Sequence, residues 1–319
     1  MNMQNHYPLF SVVIPVYNEE GNIPELYRRL TDVLKKLCGE EKRADNDYEI
    51  ILVDDGSTDN SWQLISELHK KDPSVKGICF SRNFGHHIAL TAGLDHAEGE
   101  AVILMDSDLQ DPPEEIPKFY AKFKEGYETV YAIRDKKAEP ALKKIVSLIY
   151  MKMLKGISNV DVNINSGIFR IMSRRSVQDI RRMKEKSRFI TGLISWLGYS
   201  HTGVMTARHE RYAGKSKYSL FKLINLAWHG ITAFSRVPLQ AATYFGFAAA
   251  FISFLYGVYL IARKLVYGIP VMGYTSIMAS LFFLGGIILF VLGSIGEYIG
   301  RIYEQVQDRP LYLVRERLK

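Results

Sequence analysis

Two long stretches without a charged residue or histidine dominate the last third of this 319-residue chain: residues 237–262, twenty-six in a row, and residues 275–296, twenty-two. At about 1.5 Å of rise per residue, either is long enough as a helix to cross a hydrocarbon core of roughly 30 Å. A helix of this length in a soluble core would show a polar face, and these offer only scattered Ser, Thr, Gln and Tyr. They read as a transmembrane hairpin, with spans near 238–262 and 275–296; a pair of buried soluble helices is the alternative. The link between them contains Gly268, Pro270 and Gly273, as a short turn requires.

The flanks set the orientation. Arg208, Arg211, Lys215, Lys217, Lys222 and Arg236 precede the first span, and Arg301, Arg309, Arg315, Arg317 and Lys319 follow the second, whereas the link offers Arg263 and Lys264. Because basic flanks stay inside, both termini and the bulk of the chain are expected on the cytoplasmic side of an inner membrane, with a multi-pass topology. Met1–Pro8 lacks the basic and apolar regions of a signal peptide. Residues 219–235 carry a narrow polar stripe, Lys222, Asn225, His229 and Thr232, on an otherwise apolar helix. Its place before a span favours a helix lying in the headgroup plane over one packed on the globular part.

Charge divides the chain. Residues 1–135 carry 14 Lys and Arg against 25 Asp and Glu, a net of −11, while residues 136–319 carry 27 against 9, a net of +18. The modest total of +7 conceals two environments. The positive excess tracks the spans and favours anionic membrane lipids as partners over nucleic acid. The strip 136–188, with 14 basic residues against 4 acidic, reads as a membrane-facing or solvated face. With 47% hydrophobic and 12% aromatic residues, disorder is excluded. Two cysteines, Cys38 and Cys79, form no C-x-x-C pair and imply a reducing compartment.

Before residue 136, apolar β-branched runs at 10–16, 48–54, 75–81, 101–106 and 128–133 alternate with helical patterns near 20–37, 60–71, 87–97 and 114–125. Such alternation predicts an α/β fold with a mostly parallel, Rossmann-like sheet covered on both faces, and ligands at the carboxyl ends of its strands. The polar clusters fall there: Pro15-Val-Tyr-Asn-Glu-Glu20, Asp54-Asp-Gly-Ser-Thr-Asp59, Ser81-Arg-Asn-Phe-Gly-His86 and Asp106-Ser-Asp-Leu-Gln-Asp111. In Asp106-Ser107-Asp108, an extended backbone would aim both carboxylates to one side. Hard oxygen donors converging in this way suit Mg2+ or Mn2+ on a diphosphate, and the cation would relieve their repulsion. No dinucleotide-binding glycine fingerprint, P-loop, nucleophile elbow or zinc spacing occurs. His86 and His87 are adjacent, so their side chains diverge and metal ligation is not expected of them.

Val12-Val-Ile-Pro-Val-Tyr-Asn-Glu19, Val53-Asp-Asp-Gly-Ser-Thr-Asp59, Arg82-Asn-Phe-Gly-His86 and Met105-Asp-Ser-Asp-Leu-Gln-Asp-Pro-Pro-Glu114 resemble the signature of glycosyltransferase family 2, with its GT-A fold. Arg211-Tyr-Ala-Gly-Lys-Ser-Lys-Tyr-Ser-Leu220, Phe234-Ser-Arg-Val-Pro-Leu239 and Gly296-Glu-Tyr-Ile-Gly-Arg-Ile-Tyr303 are similar to the polyprenyl-phosphate glycosyltransferases, a group that includes dolichol-phosphate mannose synthases and bactoprenol glucosyltransferases. The two-span tail is most similar to the bactoprenol branch.

The resemblance implies that Pro15, Tyr17, Glu19, Asp54 and Asp55 hold the nucleobase and ribose of a nucleotide sugar. It places Asp106 on sugar or ribose, Asp108 on the metal, Gln110 and Arg134 on the donor, and Arg211, Lys215, Ser216 and Lys217 on the lipid phosphate. It further implies a GT-A catalytic domain over 1–208, an acceptor loop and juxtamembrane helix over 209–236, and the hairpin with a basic cytoplasmic tail over 237–319. The chain departs from the group at one place: many relatives have Gly-Asp-Phe-Arg where Gly167-Ile168-Phe169-Arg170 stands here, so the acidic residue proposed as a base is absent. Asn165 and Asp161 lie nearby without matching the motif. A phosphate monoester, with a second pKa of about 6, is already largely an anion at neutral pH and needs no base.

The expected reaction is a single inverting transfer from a nucleotide sugar, UDP-glucose first among them, to polyprenyl (undecaprenyl) phosphate for cell-envelope glycosylation. A processive polysaccharide synthase and a non-catalytic sugar-nucleotide-binding membrane protein are the alternatives. Two spans are too few to enclose a translocation channel, and no Q-x-x-R-W motif occurs. Association of several copies of the chain is left open.

Overall fold

The computed structural model describes residues 7–44, 47–134, 166–186, 188–206 and 273–319, with scattered positions between 244 and 266. The chain forms two units, Met1–Ile224 together with Pro310–Lys319, and Asn225–Arg309.

In the first unit, β1 (Phe10–Val16) and β2 (Tyr48–Asp54) are buried along their whole length, as their mainly apolar sequences suit in strands covered on both faces. Phe10, Val12, Ile14 and Val16 enter one core with Leu26, Leu30 and Leu34 of α1 (Ile23–Glu40) and Phe119 of α4 (Ile116–Lys124). On the other face, α3 (His86–His96) approaches β1 so closely that a Cβ on Gly93 would stand 2.1 Å from Val13 Cγ1. The helix α2 (Ser61–Lys71) precedes β3 (Val75–Phe80), and β4 (Ala101–Leu104) and β5 (Thr129–Arg134) follow. All of these elements lie within three residues of their expected positions.

The sheet is wider than the sequence indicated. Its order is β7-β5-β6-β4-β1-β2-β3-β8. The strand β6 (Ser166–Ser173) inserts antiparallel between β4 and β5, and β7 (His201–Thr206) runs parallel to β5. Between them lie α5 (Arg174–Arg182), capped by Ser173, and α6 (Ile190–Trp196). The C-terminal residues, expected only as a basic tail, form β8 (Val314–Leu318), antiparallel to β3. The chain thus leaves the sheet after β7 on one edge and returns at β8 on the other. Both crossings lie at the carboxyl end of the parallel strands.

The described arginines of the basic strip divide: Arg175 and Arg182 are exposed, whereas others are held by the fold. Arg170 is buried, Arg174 stacks 3.4 Å from the centre of the Tyr7 ring, and Arg181 donates to the carbonyls of Leu94 and Ala97 at the end of α3. Free carbonyls at a helix C-terminus attract cations, which accounts for the placing of Arg181.

In the second unit, α7 (Tyr274–Val306) contains a stretch, Phe283–Val306, long and apolar enough by length and composition to cross a membrane. The helix outruns the uncharged segment by ten residues, through an Arg301–Glu297 pair at 3.0 Å. The described positions between Tyr244 and Val266 are helical. The acceptor-loop candidates Arg211, Lys215, Ser216 and Lys217, and the helix expected over 219–235, lie outside the described residues.

Candidate active site

The β1–β4 ladder ends at the Val13–Leu104 pair, and the strand order reverses between these two strands. Pro15, which has no N–H to give, comes two residues later and remains paired with Val53 of β2. Beyond it β1 and β4 part, opening the crevice in which open α/β sheets bind ligands.

Four strand-end loops are joined around this crevice. Asn18, in the left-handed conformation at φ 56° that Asn tolerates, donates its N–H to Ser57 Oγ (3.0 Å), and its side-chain oxygen accepts from the N–H of Thr58 (2.8 Å). The N–H of Glu19 donates to Ser61 Oγ (3.0 Å), and its carboxylate accepts from Asn22. Asp59 accepts from the N–H groups of Glu20 and Ser61; burial alone would raise its pKa, but these bonds outweigh it and hold the carboxyl below its ordinary value. Asp55 takes the N–H groups of Phe84 (2.7 Å) and Gly85. Burial dominates there and raises its pKa against those bonds. His86 Nε2 then stands 3.4 Å from Asp106 Oδ1, linking the third loop to the fourth.

The Asp106–Asp108 turn departs from the extended geometry expected. The strand β4 stops at Leu104, and Leu109 adopts a positive φ of 59°, so the two carboxylates are set by a tight turn rather than by strand alternation. Asp108 is buried and accepts from the N–H of Gln110 (3.1 Å), while Asp106 is half-buried beside His86. Among the described residues no three His, Cys, Asp or Glu side chains converge on one point. A cation here would take one or two of these hard carboxylates and complete its shell from a diphosphate and water, a mode that suits Mg2+.

The other candidates differ in access. Tyr17 is exposed and Gln110 half-buried at the rim. Asp54 is fully buried, with Oδ1 accepting from the N–H of Ser57 (3.2 Å) and Oδ2 from the thiol of Cys79 (3.2 Å). Asp54 and Asp55 therefore brace the loop from below. Arg134 closes β5, opposite Thr206; its side chain lies outside what is described. Ile168 sits half-buried on β6, two residues from Arg170. That guanidinium is tied to the carbonyls of Ile168 (3.2 Å) and Gly167 (2.7 Å), and burial pulls its pKa down to about 10. The sequence did not reveal the His86–Asp106 pair, because its partners lie twenty residues apart on different loops.

A doubly covered sheet with acidic strand-end loops meeting at its switch point places a ligand site at the carboxyl ends of the strands, as in open α/β nucleotide-binding folds. Residues 11–181 match glycosyl transferase family 2, and the chain belongs to that family. It is a glycosyltransferase with a GT-A fold, and residues 237–302 match the GtrB C-terminal hairpin. It is 44% identical to the uncharacterized glycosyltransferase YkcC of Bacillus subtilis (strain 168), over 96% of this chain and 93% of that one. It is 43% identical to the SfII prophage-derived bactoprenol glucosyl transferase of Shigella flexneri, over 96% and 97%. Among solved structures, the mannosyltransferase PcManGT from Pyrobaculum calidifontis, in complex with GDP-Man and Mn2+, aligns with a TM-score of 0.48 at 16% identity, over 96% and 89% of the two chains.

Proposed function

We propose that the protein transfers one sugar from a nucleotide sugar, UDP-glucose first among them, to polyprenyl phosphate at the cytoplasmic face of an inner membrane. The observation that carries this reading is the joining of four strand-end loops around Asp106 and Asp108 in a chain that also has the GtrB hairpin. The near full-length likeness to a bactoprenol glucosyl transferase supports the choice of acceptor and sugar. The uncharged runs and their basic flanks support two spans with both termini inside.

In this reading Tyr17 stacks on the nucleobase, while Pro15, Glu19, Asp54 and Asp55 shape the wall of the base and ribose site. Asp106, steadied by His86, meets the sugar or ribose; Gln110 and Arg134 face the donor. Asp108 holds a divalent cation, Mg2+ or Mn2+, which when bound offsets charge on the departing diphosphate. Arg211, Lys215, Ser216 and Lys217 hold the lipid phosphate, whose oxygen attacks the anomeric carbon in line, inverting it and releasing the nucleoside diphosphate. Orientation supplies much of the rate, since the nucleophile is already ionised.

Transfer of radiolabel from a panel of nucleotide sugars to undecaprenyl phosphate tests this. The expected product is an organic-extractable lipid carrying one sugar, lost with EDTA and with Asp108→Ala. Long polymer, or turnover indifferent to both treatments, would refute it.

A further inference from the structure

The strand β8 does not pair evenly with β3. Leu318, Arg317 and Glu316 oppose Gly77, Ile78 and Cys79, but Val314 opposes Phe80, which leaves Arg315 as the extra residue of a β-bulge. A bulge redirects a side chain that regular alternation would send elsewhere. Here the Arg315 guanidinium reaches the β3 side chain beside it, with Nη2 2.9 Å from Cys79 Sγ. The Cys79 thiol in turn donates to Asp54 Oδ2, and Asp54 Oδ1 takes the N–H of Ser57. Ser57 Oγ accepts from the N–H of Asn18. One line of contacts therefore runs from the C-terminal strand, through β3 and β2, to the loop of β1.

We propose that Arg315 is a positioning residue for the donor site, acting through Cys79 on Asp54 and the loop it braces. Asp54 is fully buried, and an ionised carboxylate in that setting is costly unless positive charge and donors are near. Arg315 supplies that charge from the strand that follows the hairpin, and the thiol relays it. Burial and the neighbouring carboxylate push the Cys79 pKa up to about 12, so the sulfur keeps the proton it donates. The contacts by which β8 docks are separate from this line: Tyr312 stacks on Phe80 and donates to Asp95, and Trp62 donates to Glu316. Docking and positioning can therefore be told apart by mutation.

The inference rests on the strand-end loops being a nucleotide-sugar site, and titration of the full-length protein in detergent with UDP and GDP in the presence of Mg2+ tests the two together. Arg315→Gln and Cys79→Ala should weaken nucleotide binding about tenfold and also lower the melting temperature, since each removes a partner from the line that ends on the buried Asp54. Cys79→Ser, which keeps a donor, should restore most of the affinity, and Glu316→Gln should leave it as it was. In turnover, KM for the nucleotide sugar should rise while KM for the lipid phosphate stays. If Arg315→Gln does not fold, the contrast between Cys79→Ala and Cys79→Ser tests the same line. Unchanged affinity in the Arg315 and Cys79 variants, or an equal loss in Glu316→Gln, overturns the inference alone. Failure of the wild-type chain to bind either nucleotide removes the donor-site reading, and this inference with it.

Discussion

The His86 imidazole stands 3.4 Å from the Asp106 carboxylate and is the described link between the loop after β3 and the turn that carries Asp108. The His86 side chain is exposed and Asp106 half-buried, so the pair adds little to stability; its effect is to narrow where Asp106 can point. His86→Ala should lower kcat roughly tenfold with a melting temperature within a degree or two of wild type. His86→Gln, which can still donate, should recover most of the rate. An unchanged kcat in the alanine variant would show that the turn orders Asp106 by itself.

Gly56 is required by geometry. It has φ 70°, and a Cβ there would stand 2.5 Å from the Arg82 carbonyl carbon and 2.7 Å from the Asn83 nitrogen. Both clashing atoms are backbone, so relief means moving the loop whose next N–H groups bind Asp55. Gly56→Ala should cost about 2 kcal/mol or more in unfolding free energy and weaken nucleotide binding as well. Denaturant melts and nucleotide titration would read the two losses separately. Intact affinity in a destabilised variant would detach this turn from the donor site.

Much of this was legible in the residues because local and global demands agree. Mainly apolar runs such as Phe10–Val16 suit a strand covered on both faces, and the Asp-Gly pair at 55–56 marks a tight turn at the end of β2. The strand β8 was not legible: Val-Arg-Glu-Arg-Leu has two apolar residues in five, and its partner β3 lies more than 230 residues earlier. The basic strip was legible only in part, since Arg175 and Arg182 are exposed and other arginines are not. Composition cannot distinguish an arginine facing solvent from Arg181, which spans the end of α3, or from Arg170, held by carbonyls inside the sheet. The geometry of Asp106 and Asp108 was not legible either, since a turn and not an extended strand disposes them.

His87 gives the fold a defined acid sensitivity. It is held against Phe189 at a ring separation of 5.4 Å, and its Nδ1 has no hydrogen-bond partner among the described residues. Burial lowers its pKa from 6.5 to about 4, with His86 and Arg170 contributing. Between those values the unfolded chain binds the proton and the folded chain does not, so stability rises with pH through the window, at most by about 1.4 kcal/mol per unit. The contribution is complete above pH 6.5 and gone below pH 4. His87→Phe fills the same space without a titrating group. Its urea midpoint should depend less steeply on pH between 4 and 6.5, and an identical slope in both proteins would assign the effect elsewhere.

Ile168 tests whether the reaction needs a protein base at all. Residues 168 and 170 of β6 lie on one face of the strand, so a carboxylate at 168 would stand beside the buried Arg170 guanidinium. That neighbour would hold the introduced group ionised and paired, which makes it a poor proton acceptor at neutral pH. The lipid phosphate, with a second pKa of about 6, supplies its own anion. Ile168→Asp should therefore leave kcat near the wild-type value, and in both proteins the rate should climb with pH through about 6 and then level off. A gain of tenfold or more, with the rise displaced to the pKa of a new group, would show that the wild-type enzyme works without a base it could use. A flat profile in both would mean that proton loss from the acceptor does not limit transfer.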